Sequence, residues 1–430
     1  MKPASRIQAT IEILERVAEN TRIPMDSAVG DYMRHRRYIG SKDRNEITQR
    51  VYNMTRAHAR IGWWLDKIGS ENTARNRVLV WLAFGENGGD GVDKGRLKSL
   101  FDGSKYAPEP LDEKELKRFG HMSGRNFDHP EMPDAVRVEC PPQYEEVLRG
   151  YFGENFEDEM RAMLSPATLD LRVNAFLMKR EDAAKSLEKD GVKTTETTMS
   201  PWGLRCEHKA FLTKTKAMNK GWIDIQDEGS QMIAHLCDVQ PGAQVMDYCA
   251  GAGGKTLALA AAMNRKGRIV AMDNDAKRLE KGRRRYKKSG LADIIEVRCL
   301  ADEKHRKWVK RQKEKFDVVL MDVPCTGTGT WRRNPDMRWI QYGPGLEELI
   351  QIQIEILEKA SALVKPGGRL IYATCSLLPA ENEEQIEKFL KENPEFEVQS
   401  VPENLGADYM RLTPHRHGTD GFFAAVMVKK

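Results

Sequence analysis

Asp247-Tyr248-Cys249-Ala250-Gly251-Ala252-Gly253-Gly254-Lys255-Thr256 follows a strand pattern at 244–248 and leads into the apolar run 257–263. Glycines let a backbone approach a ligand closely, and a helix N-terminus offers unpaired N–H groups. Further strand patterns follow at 268–273, 294–299, 316–322, 369–374 and 422–428. Helical patterns fill the gaps, the longest at 346–363. Strands alternating with helices predict an α/β fold with a parallel sheet of βαβ units. In such sheets ligands bind outside the carboxyl ends of the strands. The glycine turn is therefore expected to share one rim with Asp322-Val323-Pro324-Cys325 and with Ala373-Thr374-Cys375-Ser376.

Upstream the pattern is different. Residues 4–84 read as helices, with Ile7, Ile11, Leu14 and Ala18 at helical spacing and a second stretch over 44–65. A compact apolar helix is expected at 78–84, and the glycine-rich segment 85–95 reads as a loop. Residues 111–165 predict short helices between proline turns. Alternation over 168–174, a helix at 180–189 and short strands to about residue 225 predict a small α+β module. There is no internal repeat and no low-complexity segment.

The chain has 430 residues, 40% hydrophobic and 31% charged, a globular composition with room for two or three domains. Net charge is +5, unevenly spread: residues 1–64 hold 12 Lys/Arg against 7 Asp/Glu, and 277–288 hold eight Lys/Arg and one Glu. Such patches fit a polyanion, although each alone is also what a solvated helix face looks like. The N-terminus carries no apolar signal core, and no apolar run approaches a membrane span. A cytoplasmic protein is expected, with no membrane contact. Seven scattered cysteines without C-x-x-C spacing argue against a disulfide framework and a structural zinc site. His415 and His417 read as loop residues rather than metal ligands.

Two chemistries compete for the glycine turn. Gly254-Lys255-Thr256 matches the end of a phosphate-binding P-loop, but Cys249 stands where the first glycine should be. A P-loop ATPase would use Asp322 as its Mg²⁺ acid. The next strand pattern favours the other reading, because it ends in Asp273, where a carboxylate can grip a ribose diol. A nucleoside cofactor such as S-adenosylmethionine needs that grip. Its sulfonium needs no phosphate cradle and tolerates carboxylates such as Asp247 and Asp322.

The thiols carry the rest. Carbon 5 of a pyrimidine is a poor nucleophile until a thiolate adds to carbon 6; carbon 5 can then attack an electrophilic methyl group. A second thiol could serve release, and Asp322 suits stabilisation of charge at ring nitrogen 3. A single cysteine at a strand end is usually a small buried hydrophobe. That reading is taken for Cys140, Cys206, Cys237 and Cys299. Cys249 is expected to line the cofactor loop.

These residues resemble the RNA cytosine-5 methyltransferases of the Nol/Nop/Sun family. The resemblance rests on 247–256, Met272-Asp273, the run 320–329, Arg332-Arg333-Asn334-Pro335-Asp336, Tyr372–Ser376, Asp420-Gly421-Phe422-Phe423 and Gln226–Ser230. It covers roughly the last 205 residues. Residues 161–166 and 171–174, with the helical front, resemble the bacterial small-subunit ribosomal RNA type, which carries a NusB-like domain. Two departures stand out. Ala252 replaces the family's usual Pro, and the third strand's end, Arg298-Cys299-Leu300-Ala301-Asp302, is one residue longer than usual.

The resemblance implies a Rossmann-like S-adenosylmethionine-dependent methyltransferase domain at 226–430. Before it would come an all-helical NusB-like domain at 1–145 and a small α+β RNA-binding module at 146–225. It implies Cys375 as nucleophile, Cys325 as releasing group and Asp322 beside them. The cofactor would meet Cys249, Ala250, Gly251, Ala252, Gly253, Gly254, Lys255, Asp273, Asp302 as the adenine contact, and Asp322. The partner is RNA, 16S rRNA first and tRNA second, and Arg332, Arg333 and Arg338 are expected to hold phosphates. No metal is needed, and a monomer is expected. The rival outside enzymology is a catalytically silent RNA-binding assembly factor.

Overall fold

The computed structural model describes residues 1–85, 91–122 and 125–430. The middle of the expected loop at 85–95 lies outside these. Among the described residues the chain divides into two compact units. One is Met1–Ser165 with Trp331–Pro344; the other is Pro166–Thr330 with Gly345–Lys430.

The first unit is helical. Its opening helix, Pro3–Glu19, starts with proline in its first turn, where the missing N–H costs nothing, and buries Ile7, Ile11, Ile13 and Val17. The stretch expected to be one helix over 44–65 is two, Ser41–Arg56 and His58–Lys67, broken at Ala57. The apolar period runs on across the break because Met54, Ala57, Ile61 and Trp64 all enter one buried cluster. Helix Met25–His35, within the stretch expected to be helical over 4–84, packs its Met25, Val29 and Met33 into a second cluster. Segment Trp331–Pro344 is held in this unit by named contacts. Asp336 accepts the Met25 N–H at 3.0 Å, and Arg56 donates to the Arg332 carbonyl at 3.0 Å. The rings of His58 and Trp339 stack at 4.7 Å.

The second unit contains two sheets. The smaller has β1 (Asp170–Val173), β2 (Thr194–Glu196), β3 (Gly203–Cys206) and β4 (Ile223–Ile225) in the order β2-β3-β1-β4, all antiparallel. Helix Arg180–Lys189 buries Ala183 and Leu187 in the same cluster as Leu171, Val173 and Leu204.

The larger sheet comprises β5 (Gln244–Asp247), β6 (Arg268–Asp273), β7 (Ile295–Cys299), β8 (Phe316–Asp322), β9 (Val364–Thr374), β10 (Phe396–Val398), β11 (Met410–Leu412) and β12 (Phe422–Lys429). Its order is β10-β12-β9-β8-β5-β6-β7, with β11 on β12. β5 to β9 are parallel, as the alternating pattern predicts, but β12 is antiparallel to β9, and β10 and β11 are antiparallel to β12. The sheet is thus mixed. The strands are apolar on both faces: Met246, Val270, Val319 and Tyr372 enter one core cluster, Val245, Ile269, Leu320 and Ile371 the other. From β5 the chain winds outward through β6 and β7, then returns to the other side of β5 with β8 and β9. The crevice at that reversal, beyond the ends of β5 and β8, is where such folds bind ligands.

Candidate active site

The glycine turn leaves β5 at Asp247 and enters helix Gly254–Ala262. Gly251 and Gly253 take left-handed backbone, φ 55° and 78°. Side chains are also excluded there by space: an added Cβ at Gly253 would stand 2.1 Å from the Tyr286 hydroxyl, and one at Gly251 2.4 Å from Arg278. The turn borders a cavity of ≈ 220 Å³ lined by Asp247, Cys249, Ala250, Ala252, Gly254, Lys255 and Asp322, with Gln226, Ser230, Arg278 and Arg285. Gly251 and Gly253 shape the loop rather than line this space.

Two carboxylates, Asp247 and Asp322, line it, and a third, Asp273, holds the glycine turn from behind. Asp247 is 1% exposed and accepts the Thr256 hydroxyl at 2.6 Å, but its Oδ1 is buried with no partner. Burial pushes its carboxyl up to about 7, helped by the charge of Asp322 and opposed by the Thr256 hydrogen bond. Asp322 accepts from Lys255 Nζ at 2.7 Å. Burial works against the Lys255 ammonium, yet Asp322 outweighs it and raises its pKa; Cys375 adds to the same effect. Asp273 ends β6, its two oxygens accepting the N–H groups of Gly251 and Asp275, both at 2.8 Å. Each oxygen keeps a second lone pair. Asp302 is not brought to this cavity. It is exposed and caps helix Glu303–Lys310 through the Lys304 N–H at 2.8 Å.

A positively charged nucleoside cofactor fits these residues. The buried, unpartnered oxygen of Asp247 awaits a cation or donor, and the turn that carries it has no room for a side chain at Gly251 or Gly253. The lysine that a P-loop would aim at phosphates is instead committed to Asp322.

Cys325 and Cys375 follow β8 and β9. These strands pair in parallel with Asp322 opposite Ala373, so both loops leave the sheet at one level. The two Sγ atoms lie 3.4 Å apart. Contact with Cys375 first, and burial second, push the Cys325 thiol well above its ordinary pKa. Of the remaining cysteines, Cys140, Cys206 and Cys237 are buried, as a packing role predicts; Cys299 is only partly buried and donates to the Asn274 carbonyl.

One residue the sequence reading missed ties the two thiol loops together. Glu381 is fully buried. Its Oε1 accepts the Thr326 N–H at 2.9 Å and Gln353 Nε2 at 3.0 Å; its Oε2 accepts the Thr326 and Ser376 hydroxyls, both at 2.5 Å. Asn382 adds a bond to Thr374 and donates to the Ser376 carbonyl at 3.0 Å. On the other side, Gly329 donates to the Cys375 carbonyl at 2.9 Å and accepts the Gly421 N–H at 2.8 Å. An added Cβ at Gly329 would stand 2.3 Å from the Gly421 carbonyl.

The expectation for the arginines after the Pro-Cys motif needs correction. Arg332 is 5% and Arg338 2% exposed, too buried to meet RNA phosphates. Arg338 lies over the Trp331 ring, and burial pulls its guanidinium down to about 10. His417 accepts the Thr413 N–H with Nδ1, capping its own short helix. Among the described residues no cluster of three or more His, Cys, Asp or Glu could hold a metal, and no helix is long and apolar enough to cross a membrane.

A sheet in the order β10-β12-β9-β8-β5-β6-β7, with a glycine cradle after β5 and an acid at the end of β6, defines a Rossmann-like S-adenosylmethionine-dependent methyltransferase. The comparisons agree. Residues 234–428 match the family described as 16S rRNA methyltransferase RsmB/F, and residues 140–211 match its ferredoxin-like domain. The chain is 30% identical over 376 residues to a probable ribosomal RNA small subunit methyltransferase B from Synechocystis, covering 85% of this chain and 80% of that protein. It is 29% identical over 388 residues to ribosomal RNA small subunit methyltransferase B from Proteus mirabilis, covering 89% and 86%. The solved structure of PH0851 is 27% identical, covers 100% of this chain and 99% of its own, and superposes with a TM-score of 0.78. A methyltransferase homologue from Pyrococcus horikoshii is 29% identical over 69% of this chain and 98% of its own, with a TM-score of 0.58. The chain belongs to the RsmB/F branch of the Nol/Nop/Sun family and is an S-adenosylmethionine-dependent RNA methyltransferase.

Proposed function

We propose that the protein methylates carbon 5 of a cytosine in 16S rRNA through a transient bond between Cys375 and carbon 6. The observation that carries this reading is the pair of thiols 3.4 Å apart at the rim that also holds Asp322 and Lys255. Methylation of oxygen, nitrogen or an already nucleophilic carbon has no use for two adjacent sulfurs. The substrate comes from the relatives, which are named for the small ribosomal subunit.

In this reading the Cys375 sulfur bonds to carbon 6, and its thiol proton passes through Asp322 to nitrogen 3, where negative charge develops. Lys255 fixes the Asp322 carboxyl and places a cation near the Cys375 sulfur. When bound, S-adenosylmethionine supplies an electrophilic methyl group to carbon 5. Asp247 would hold its cationic end, the 249–254 backbone its methionine part and Asp273 the ribose. For release, the nitrogen 3 proton returns to Asp322, the carbon 5 proton passes to Cys325 in its thiolate form, the freed electrons make the carbon 5–carbon 6 double bond, and the carbon 6–sulfur electrons return to Cys375.

The target base would leave its stack to reach this rim, as modified bases must. The helical unit and the small α+β module are proposed as the RNA-holding parts. Bisulfite mapping of 16S rRNA and tRNA from cells with and without the gene tests the reading. Loss of one 16S 5-methylcytosine is the expected result; a lost tRNA mark moves the substrate, and no lost mark with no methyl transfer in vitro leaves the assembly-factor reading.

A further inference from the structure

Beside the cofactor cleft is a second, larger cavity of ≈ 330 Å³. Met218, Ile223, Ile225 and Leu291 give it an apolar floor, while Arg285 and Lys288 add cations. Ile225 and Arg285 also line the cofactor cleft, so the two spaces adjoin. Arg285 is anchored between them, donating to the Ala252 carbonyl and pairing with Asp224.

One wall is an open strand edge. β4 is the last strand of the small sheet. Asn174 donates to the Trp222 carbonyl at 2.8 Å and Gln226 to the Asp170 carbonyl at 3.0 Å, so positions 222 and 226 bond towards β1. By antiparallel alternation, Ile223 and Ile225 turn their N–H and C=O groups the other way. Ile225 is half exposed, at 50%. An apolar slot with spare peptide donors and acceptors matches a flat heterocycle with polar edges. The cations beside it match a phosphodiester. Lys281, Arg284 and Lys287 lie exposed on the same helix as Lys288 and extend that charge.

We propose that this cavity holds the base of a nucleotide flanking the target cytosine, with its phosphate near Lys288. The inference rests on the RNA reading above. A base held here fixes the strand where it enters the site and leaves the thiols free for the target. Charge complementarity selects RNA over a peptide strand added to the β4 edge.

The test uses the full-length protein, unmethylated 16S rRNA transcript and two substitutions at the cavity, Thr213→Trp to fill it and Lys288→Glu to reverse its charge. Displacing a base held by apolar contact with Met218, Ile223, Ile225 and Leu291 should cost roughly tenfold in KM for RNA, with kcat and S-adenosylmethionine affinity retained. Photo-crosslinking with 4-thiouridine-substituted transcript should also join RNA to the peptide spanning 213–225. RNA KM within about twofold of wild type in both variants, or crosslinks only elsewhere, overturns the proposal. If Thr213→Trp loses cofactor affinity it has misfolded, and Lys288→Glu with the crosslink map decides. If wild type transfers no methyl, the functional reading fails on its own, and the crosslink map still decides this one.

Discussion

The Sγ atoms of Cys325 and Cys375 lie 3.4 Å apart across two neighbouring parallel strands, though 50 residues separate them in the chain. The pairing of Asp322 with Ala373 sets that meeting, and Glu381, bonded to Thr326 on one loop and Ser376 on the other, locks it.

Cys375→Ala removes the sulfur proposed to bond to the base. Methyl transfer should fall below detection while S-adenosylmethionine still binds, since the glycine cradle and Asp247 are untouched. A radiolabel assay paired with calorimetry checks both halves. Turnover by this variant rejects Cys375 as nucleophile.

Cys325→Ala leaves attack possible and removes the proposed release base. The protein should accumulate as an RNA adduct that survives denaturing electrophoresis and disappears on nuclease treatment. Normal turnover with no adduct assigns release to another group.

Glu381→Ala strips the acceptor from four donors, the Thr326 amide and hydroxyl, the Ser376 hydroxyl and Gln353. Unpaired buried donors make the variant less stable by about 3 kcal/mol or more. A shift of ~1 Å in a reacting group costs ~100-fold in rate, so kcat should fall by that order while cofactor affinity holds. Glu381→Gln should recover part of the rate. A readout specific to thiol spacing is oxidation by diamide: wild type should form the 325–375 disulfide quickly, Glu381→Ala slowly. Equal rates would make Glu381 a stabilising residue only.

Asp247 makes cofactor binding pH-dependent. Burial holds its carboxyl up to about 7, and a cationic ligand prefers the ionised form. S-adenosylmethionine affinity should therefore rise as pH passes upward through about 7, with proton release on binding below it. A carboxyl raised in the folded state favours the free protein at low pH, and that contribution is lost as pH rises through the folded value. The thermal shift produced by the cofactor should then be larger at pH 8 than at pH 6. A pH-independent affinity, or Asp247→Asn binding as tightly as wild type, would refute this.

The sequence spoke clearly where chemistry sits at strand ends. β6 and β8 fall at 268–273 and 316–322 as their patterns predict, because strands buried on both faces are mostly apolar runs, here ending in acid. β9 begins five residues before the expected 369, at Val364. Pro366-Gly367-Gly368 reads as a turn, and Gly367 does adopt φ 73°, yet the strand passes through it beside a register irregularity. β10 and β11 have three residues each, too short for any alternation to register. Glu381 was invisible for another reason. It sits in the loop Leu377–Asn382, where an acid looks solvated, and its partner Thr326 is 55 residues away. Arg332 and Arg338 misled in the opposite sense: arginines in a short loop look like phosphate ligands until the tryptophans beside them draw the whole segment inward.

That loop has a bearing on how the protein can be divided. The chain leaves the methyltransferase unit directly after Thr330, spends Trp331–Pro344 among the helices of the other unit, and comes back at Gly345. No single cut frees the catalytic half intact. A fragment beginning at residue 166 would carry two orphaned indoles, Trp331 and Trp339, and the bare guanidinium of Arg338, in the segment that follows the Cys325 loop. Insolubility of such a fragment would say nothing about the Rossmann-like core; a fragment with 331–344 replaced by a short Gly/Ser linker is the fair trial of whether that core stands alone.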